Sequence, residues 1–371
     1  MKFGVFLPTF LPPGSQSGST GLRTFARAAE DLGFDSLWVT DHIVTAHRFY
    51  RVPWLDALST LSYAAAITDR VNLGTSILIM PLRQPAVLAK EIATLQYLSD
   101  GRYICGAGVG WFGPEFEACG VHKSERGVRT DEVLDATLAL LHEDEVTYHG
   151  RYYQLDEVTV EPHPSSPTPL WVGGGRQLPH EASPEQARMH PAVLRRIARA
   201  DGWIARPTCP PALIRTDLDA IRSARHEAAG AGKSFTVAHE NFVWIEETGR
   251  KEDVVAEQQR RFAQLMSDER PWDYIDAVYL TGTIDELHRR IQERIEAGVE
   301  YLILHTLTPD LAQLELLARH VLEPFRSAVP TTTTTGDEAA LGGNSGDGQA
   351  DSRSDGALDA RGGPGGSDGH E

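Results

Sequence analysis

The chain has 371 residues, of which 41% are hydrophobic, and its formal net charge is −17. This length is enough for one large domain or for two to three small ones. The acidic balance argues against nucleic-acid binding, which requires a basic surface, and no run of about 18 apolar residues predicts a membrane span.

The N-terminal residues Met1 to Pro8 begin directly with a predicted strand and lack the long apolar segment of a secretory signal. The three cysteines lie far apart in the chain, and no CxxC pair occurs; they are Cys105, Cys119 and Cys209. This spacing predicts neither disulfide bonds nor a thiolate metal site. We therefore expect a cytoplasmic protein.

Residues 1–330 alternate apolar strands with amphipathic helices. Several predicted helices end on a glycine, such as Gly33 and Gly298, as helix C-termini often do. Eight strands separated by helices favour an α/β fold of the closed TIM (β/α)8 barrel type, with an open doubly wound sheet as the alternative. The predicted strands are 2–7, 35–40, 71–78, 102–107, 169–173, 202–205, 235–246 and 300–306, and the predicted helices are 20–33, 54–69, 86–99, 124–142, 191–200, 211–229, 250–267, 283–298 and 309–326.

Two insertions and a tail interrupt this alternation. Residues 146–155 have the pattern of a β-hairpin, and the polar, proline-bearing segment 177–189 is interpreted as a mobile lid. Residues 331–371 are dominated by Gly, Asp, Ser and Ala and contain no aromatic residue. Such a segment buries too little apolar surface to fold, so the sequence predicts a barrel domain over 1–330 and a disordered acidic tail over 331–371.

Polar residues follow the predicted second strand, where Asp41 and His42 come directly after Val39 and Thr40. The carboxyl ends of parallel barrel strands are the usual place for chemistry, and an imidazole there exchanges a proton near neutral pH. Two interpretations remain open at this point: His42 acts in catalysis, or it only caps the strand.

Glycines mark the ends of the fourth and fifth strands. Gly106, Gly108 and Gly110 alternate along the fourth strand, which allows the close approach of a flat ligand or simply relieves crowding. The fifth strand ends in three glycines and an arginine, which is the pattern of either a phosphate nest or a plain turn; these residues are Gly173, Gly174, Gly175 and Arg176.

Several common catalytic designs are not present in the sequence. It has no HExxH, Walker A or GxSxG motif, and no lysine stands where a Schiff-base enzyme needs one, at the carboxyl end of a strand. His305 ends the predicted last strand and faces the same side as His42; a core role and a catalytic role are equally compatible with that position.

A set of ordered segments resembles the bacterial luciferase-like superfamily. The segment Phe34 to His42 resembles its second strand, and the resemblance continues in order over roughly residues 1–326. Within the superfamily the chain is most similar to the branch that uses the deazaflavin coenzyme F420. The other matching segments are Leu73–Ile77, Gly106–Trp111 with Glu115 and Phe116, Trp171–Gly174, Ala200–Trp203, Gly282–Thr283 and Tyr301–His305.

This resemblance implies a TIM barrel with insertions and a planar cofactor lying across the strand ends. It implies a non-proline cis peptide between Ser76 and Ile77, behind the cofactor ring. It further implies that Asp41 and His42 contact the ring, and that His42 either bonds the cofactor or serves as the acid–base residue toward substrate. It also implies that Gly173 and Gly174 hold the phosphate of the cofactor tail. The glycine patterns described above add Gly108, near the ring, and Gly175 and Arg176, near that phosphate, as further expected cofactor-binding residues.

The chain also departs from its sugar-phosphate dehydrogenase relatives. They carry a glutamate where this chain has Trp111, so their substrate and proton donor are not implied here. Ile79 replaces a threonine found near the cofactor in some relatives. Glu115 is a candidate replacement acid, although we expect it to lie on a loop.

Three functions follow in order of preference. The first is an F420-dependent oxidoreductase that transfers a hydride between the coenzyme and a small organic substrate. The second is a reduced-FMN monooxygenase that depends on a separate flavin reductase. The third is a non-catalytic flavin-binding paralogue. We expect no nucleic-acid or membrane partner, no metal, and a homodimer as in many relatives.

Overall fold

Eight parallel strand positions form a closed barrel in the computed structural model, which describes residues 1–10, 18–45, 50, 52–179, 188–228, 233–266 and 270–327. The predicted tail, 331–371, lies outside the described residues. The strands are β1 (Lys2–Phe6), β2 (Ser36–Val39), β3 (Asn72–Thr75), β4 (Leu78–Ile79), β5 (Tyr103–Gly108), β6 (Val146–His149), β7 (Gln154–Val158), β8 (Leu170–Gly174), β9 (Gly202–Ala205), β10 (Thr236–Val243) and β11 (Tyr301–Thr306).

The strand order shows why the barrel closes. Neighbouring strands run β3-β2-β1-β11-β10-β9-β8-β5-β4, and β3 also pairs with β5 in parallel, with Leu73 opposite Tyr103. That pairing joins the two edges of the sheet, so the TIM-barrel prediction is confirmed and the open doubly wound sheet is wrong. The antiparallel pair β6 and β7 confirms the predicted hairpin.

Helices surround the barrel and cover its outer face. They are α1 (Gly18–Asp31), α2 (Ala57–Ile67), α3 (Pro85–Leu98), α4 (Gly113–Ala118), α5 (Arg126–Leu140), α6 (Pro191–Arg199), α7 (Pro211–Glu227), α8 (Lys251–Leu265), α9 (Trp272–Val278), α10 (Ile284–Glu296), α11 (Leu311–Leu317) and α12 (Glu323–Ser327). A π-helical turn, Ala318–Leu322, joins α11 to α12. Among the described residues no helix is both long and apolar enough to cross a membrane.

Aromatic side chains fill the amino-terminal half of the barrel interior. The rings of Trp38 and Trp171 lie 5.4 Å apart, and those of Trp171 and Tyr301 lie 5.2 Å apart. The Ser36 hydroxyl satisfies the polar atoms of two of these rings, because it accepts hydrogen bonds from Trp38 Nε1 at 2.5 Å and from the Tyr301 hydroxyl at 2.6 Å. Gly74 leaves the room that Trp38 needs, since a Cβ there would lie 2.4 Å from its ring. We call Trp38, Trp171 and Tyr301 the barrel plug.

The structure differs from the prediction in the third strand and in two short helices, and it does not test the predicted lid. The third strand, predicted as 71–78, is interrupted between β3 and β4. The short helices α4 and α9 were not predicted, because six or seven residues hold too few turns to show a helical period. The predicted lid, 177–189, falls largely outside the described residues, because only 177–179 and 188–189 are described.

Candidate active site

An opening lies at the carboxyl ends of the barrel strands. Ile77, Gly173 and Glu240 are partly exposed there, whereas most of the interior residues around them are buried. The barrel plug fills the space on their amino-terminal side, so solvent reaches them from the carboxyl end. We call these three residues the mouth floor. In α/β barrels this is the face that carries the chemistry.

The break between β3 and β4 shapes the mouth floor. The peptide bond between Ser76 and Ile77 is cis, as the family resemblance implies. Hydrogen bonds anchor the break on both sides, because Ser76 N donates to Val39 O at 2.9 Å and Ile79 N donates to Asp41 Oδ2 at 2.8 Å. The Ile77 side chain is thereby placed in the barrel mouth.

The glycines at the ends of β5 and β8 make room for Ile77. A Cβ at Gly108 would lie 2.7 Å from Ile77 Cδ1, and one at Gly173 would lie 2.5 Å from Ile77 Cγ2. These glycines therefore relieve crowding inside the protein, which for Gly108 was one of the two interpretations of the sequence. Direct contact of Gly108 or Gly173 with a ligand stays a prediction.

His42 is paired with a buried carboxylate from a different part of the chain. His42 Nδ1 lies 3.0 Å from Glu115 Oε1, which also accepts a hydrogen bond from Ile43 N at 2.8 Å. A carboxylate only accepts hydrogen bonds, so this contact places the imidazole proton on Nδ1 and leaves the Nε2 lone pair free to accept another. The strand-cap interpretation of His42 is therefore incomplete.

Glu115 was expected on a loop, and that expectation is wrong. It lies in α4, which begins with Gly113 and Pro114, and proline is favourable at a helix start. The residue is fully buried, and its second oxygen, Oε2, has no hydrogen-bonding partner among the described residues. Because Glu115 is buried, water does not compete for the hydrogen bond between its carboxylate and His42, and this bond is strengthened.

Aromatic rings surround His42 on several sides. Its ring centroid lies 6.1 Å from that of Tyr50, 5.9 Å from that of Trp54 and 6.0 Å from that of Trp111. Trp111 remains 38% exposed, so part of its apolar surface faces solvent at the rim. A base set among aromatic rings is shielded from water and presents flat surfaces for stacking.

Asp41 has an internal structural role. It is buried, and its two oxygens are used inside the protein: Oδ2 accepts from Ile79 N, and Oδ1 accepts from Arg83 Nη2 at 2.7 Å. It thereby ties the end of β2 to the segment that follows the cis bond. The contact between Asp41 and a cofactor ring remains a prediction.

The predicted phosphate nest already holds an anion of the protein itself. Asp217 of α7 accepts hydrogen bonds from Arg176 N at 2.6 Å and from Arg176 Nε at 2.8 Å. A Cβ at Gly175 would lie 2.8 Å from the same carboxylate. Asp217 therefore uses the donors that we expected to bind a phosphate, and the assignment of Gly174, Gly175 and Arg176 to the cofactor tail stays a prediction.

His305 belongs to the core. Its ring centroid lies 4.9 Å from that of Phe6 and 4.6 Å from that of Phe242, and its Nδ1 donates to Thr306 O at 2.7 Å. Burial lowers the pKa of the imidazole to about 4, so His305 is neutral near pH 7. The core interpretation of His305 agrees with this enclosure.

Glu240 is the residue that sequence reasoning missed. It lies in the middle of β10 and accepts a hydrogen bond from the Ser76 hydroxyl at 2.6 Å. Burial raises the pKa of its carboxyl to about 7, although the bond from Ser76 acts in the opposite direction. The available signal was a carboxylate placed between the apolar residues Ala238 and Phe242 of β10.

The raised pKa of Glu240 predicts a pH-dependent stability. The folded protein binds this proton more tightly than the unfolded chain, whose usual carboxyl pKa is 4.5. Its contribution to stability is complete below pH 4.5 and is lost as the pH rises through about 7. We expect the urea midpoint of the wild type to fall relative to that of Glu240→Gln between about pH 5 and pH 8. Parallel midpoints over that range would contradict the assignment.

A cavity of about 410 Å³ opens at the opposite, amino-terminal end of the barrel, lined by residues that include Arg102, Asp201 and Trp171. Arg102 is engaged by backbone and side-chain acceptors around Thr68. The barrel plug separates this cavity from the mouth floor, and we assign it no role in catalysis. Among the described residues no cluster of histidine, cysteine or carboxylate side chains suits a metal ion.

Comparison with known proteins places this site in context. The family described as luciferase-like monooxygenase matches residues 1–313. An F420-dependent glucose-6-phosphate dehydrogenase from Kineococcus radiotolerans is 41% identical over 159 residues, which cover 42% of this chain and 46% of that enzyme. The enzyme of the same name from Amycolatopsis mediterranei is 27% identical over 316 residues, which cover 78% of this chain and 89% of that enzyme.

Solved structures share the fold. An F420-dependent secondary alcohol dehydrogenase in complex with an F420-acetone adduct superimposes with a TM-score of 0.70 at 20% identity, covering 86% of this chain and 98% of that one. At this level of identity the likeness concerns the barrel and its insertions rather than the residues of the site.

Proposed function

Because this chain belongs to the luciferase-like monooxygenase family, we propose that it is an F420-dependent oxidoreductase that transfers a hydride between the coenzyme and a small organic substrate. The resemblance inferred from the residues is confirmed by this membership. The observation that supports catalysis most directly is the His42–Glu115 pair at the carboxyl end of the barrel, 3.0 Å apart. The names of the relatives from Kineococcus and Amycolatopsis support F420 as the coenzyme.

The residues of the barrel mouth suit a planar coenzyme. The mouth floor presents the apolar side chain of Ile77 together with one carboxyl group, Glu240, at the carboxyl end of the barrel. Bound F420 supplies a ring carbon that accepts or donates a hydride. The fit at the tail is poorer, because Asp217 engages Arg176, so Gly173 and Gly174 remain the proposed backbone contacts there.

We assign proton transfer to His42. In the oxidation of an alcohol, Nε2 accepts the hydroxyl proton while the neighbouring carbon loses its hydride. The carboxylate of Glu115 stabilises the imidazolium that results and keeps the ring oriented. In the reduction of a carbonyl compound, the same imidazolium returns its proton to the oxygen. Trp54 and Trp111 exclude water around this exchange.

Ligand-dependent unfolding tests the choice of coenzyme. We expect F420 at about 100 times its dissociation constant to raise the melting temperature by about 5 °C, because it binds the folded state alone. FMN at the same concentration is expected to raise it by less than about 1 °C. A larger shift with FMN would contradict the proposal and support the monooxygenase, which requires a flavin reductase. Binding without turnover in a screen of alcohols and carbonyl compounds would support the non-catalytic paralogue.

The oligomeric state is a separate proposal. We expect a homodimer, because many relatives pair through barrel helices. Size-exclusion chromatography with light scattering distinguishes a dimer from a monomer, and a monomeric mass would remove this proposal without affecting the choice of coenzyme.

A further inference from the structure

The carboxyl group of Glu240 is unusual in its position inside the barrel. Along β10 the alternate residues Ala238 and Phe242 lie in apolar clusters, and Glu240 stands between them. Its oxygen Oε2 is fixed by the Ser76 hydroxyl at 2.6 Å. Its other oxygen, Oε1, has no hydrogen-bonding partner among the described residues, and the residue is partly exposed at the mouth floor.

No cation in the described part of the chain forms an ion pair with Glu240. Arg206, at the end of β9, bonds Gln177 Oε1 at 3.3 Å, and Arg270 bonds the Tyr279 hydroxyl at 2.9 Å. Burial raises the pKa of Tyr279 well above its usual range, and the nearby Glu240 adds a small part of that rise. From β11, the neutral His305 faces the same region. The carboxyl is therefore held in an apolar setting with one oxygen available.

We propose that Glu240 is a binding residue for the planar redox coenzyme, in which Oε1 donates a hydrogen bond to the polar edge of the ring while Ser76 holds Oε2. This inference rests on the proposed function in one respect, because it requires a deazaflavin or flavin ring in the barrel mouth. Both rings have carbonyl oxygens along this edge, which accept such a bond.

The acid form of Glu240 is the form that binds. With Oε2 accepting from Ser76, the proton of the acid resides on Oε1, which then acts as a donor. Ionisation removes this donor and places a negative charge against carbonyl oxygens. The apolar surroundings favour the acid form up to a pH of about 7. We therefore expect coenzyme affinity to fall above that pH.

Calorimetric titration of the full-length protein with F420, and with FMN, between about pH 6 and pH 9 tests this assignment. We expect the wild-type dissociation constant to rise about tenfold per pH unit above pH 8. The amide of Glu240→Gln donates a hydrogen bond at every pH. We therefore expect the dissociation constant of this variant to change less than about threefold beyond the change caused by ionisation of the ligand. The ratio of the two proteins at each pH cancels the ionisation of the ligand.

Two further variants complete the experiment. Glu240→Ala is expected to bind at least about tenfold more weakly at pH 6, because it lacks the donor. Glu300→Gln changes an exposed glutamate at the amino-terminal end of the barrel and is expected to follow the wild type at every pH. Glu240→Gln keeps the shape of the side chain, so the test does not depend on whether the alanine variant folds.

The possible outcomes separate the two proposals. Parallel pH profiles for the wild type and Glu240→Gln, with either coenzyme bound, would overturn the role of Glu240 and leave the proposed function standing. Binding of neither F420 nor FMN to the wild type would overturn both. Infrared difference spectra give a second readout, because the carbonyl band of a protonated carboxyl should shift on coenzyme binding and be missing in Glu240→Gln.

Discussion

The His42→Ala variant is expected to fold but to turn over substrate about 10²- to 10⁴-fold more slowly. The change removes the only imidazole that Glu115 orients among the described residues, and with it the proton acceptor at the barrel mouth. The loss should appear in kcat more than in KM, because proton transfer occurs in the transition state. The measurement is the change in F420 absorbance with a substrate identified by the screen of alcohols and carbonyl compounds.

Two companion variants show whether this loss is specific. His226→Ala changes an exposed histidine on α7 and is expected to keep wild-type rates. Glu115→Gln keeps the shape but not the charge that stabilises the imidazolium, so we expect a smaller loss of about 10- to 100-fold. A His42→Ala variant with wild-type kcat would remove His42 from the mechanism.

Gly106→Ala is expected to destabilise the protein by about 3 kcal/mol or more. Among the glycines of the barrel strands, this is the position where an added methyl group is expected to be most damaging. A Cβ at this position would lie 1.8 Å from the backbone oxygen of Thr75. A backbone atom cannot relieve this clash by changing rotamer, as a side chain can. The strands β3 and β5 would therefore have to separate at the point where the barrel closes. The free energy of unfolding from urea titration measures the effect.

The matched control is Gly113→Ala. Apart from its chain neighbours and the backbone of its own helix, no described atom lies within 4 Å of a Cβ built on Gly113, and the position begins α4, where alanine is a good helix former. We expect its free energy of unfolding to stay within about 0.5 kcal/mol of the wild type. Equal stabilities for the two variants would show that β3 and β5 are not packed as described.

The barrel was predictable because its signals are local. Apolar runs of strand length alternate with amphipathic segments, and glycines such as Gly33 and Gly298 mark helix ends. Each of these patterns is contained within a few neighbouring residues. The closing contact between β3 and β5 has no local signature, and only the number of strands indicated it.

The contacts within the site were not predictable in the same way. His42 and Glu115 are 73 residues apart, and Ser76 and Glu240 are 164 residues apart. Whether two such side chains meet depends on strand register and on short elements such as α4. For Arg176, the sequence pattern suggested a free cation, whereas Asp217, 41 residues later, already binds it.

The barrel plug has a consequence for kinetics. The side chains of Trp38, Trp171 and Tyr301 pack at centroid distances of 5.2 to 6.3 Å and are buried, so they fill the barrel interior behind the mouth floor. Coenzyme and substrate must therefore enter from the same side of the barrel. The one that binds deeper in the mouth has to bind first and dissociate last. Initial rates measured while the coenzyme and substrate concentrations are both varied should therefore fit an ordered binding mechanism. The product that dissociates last should inhibit competitively only against the ligand that binds first.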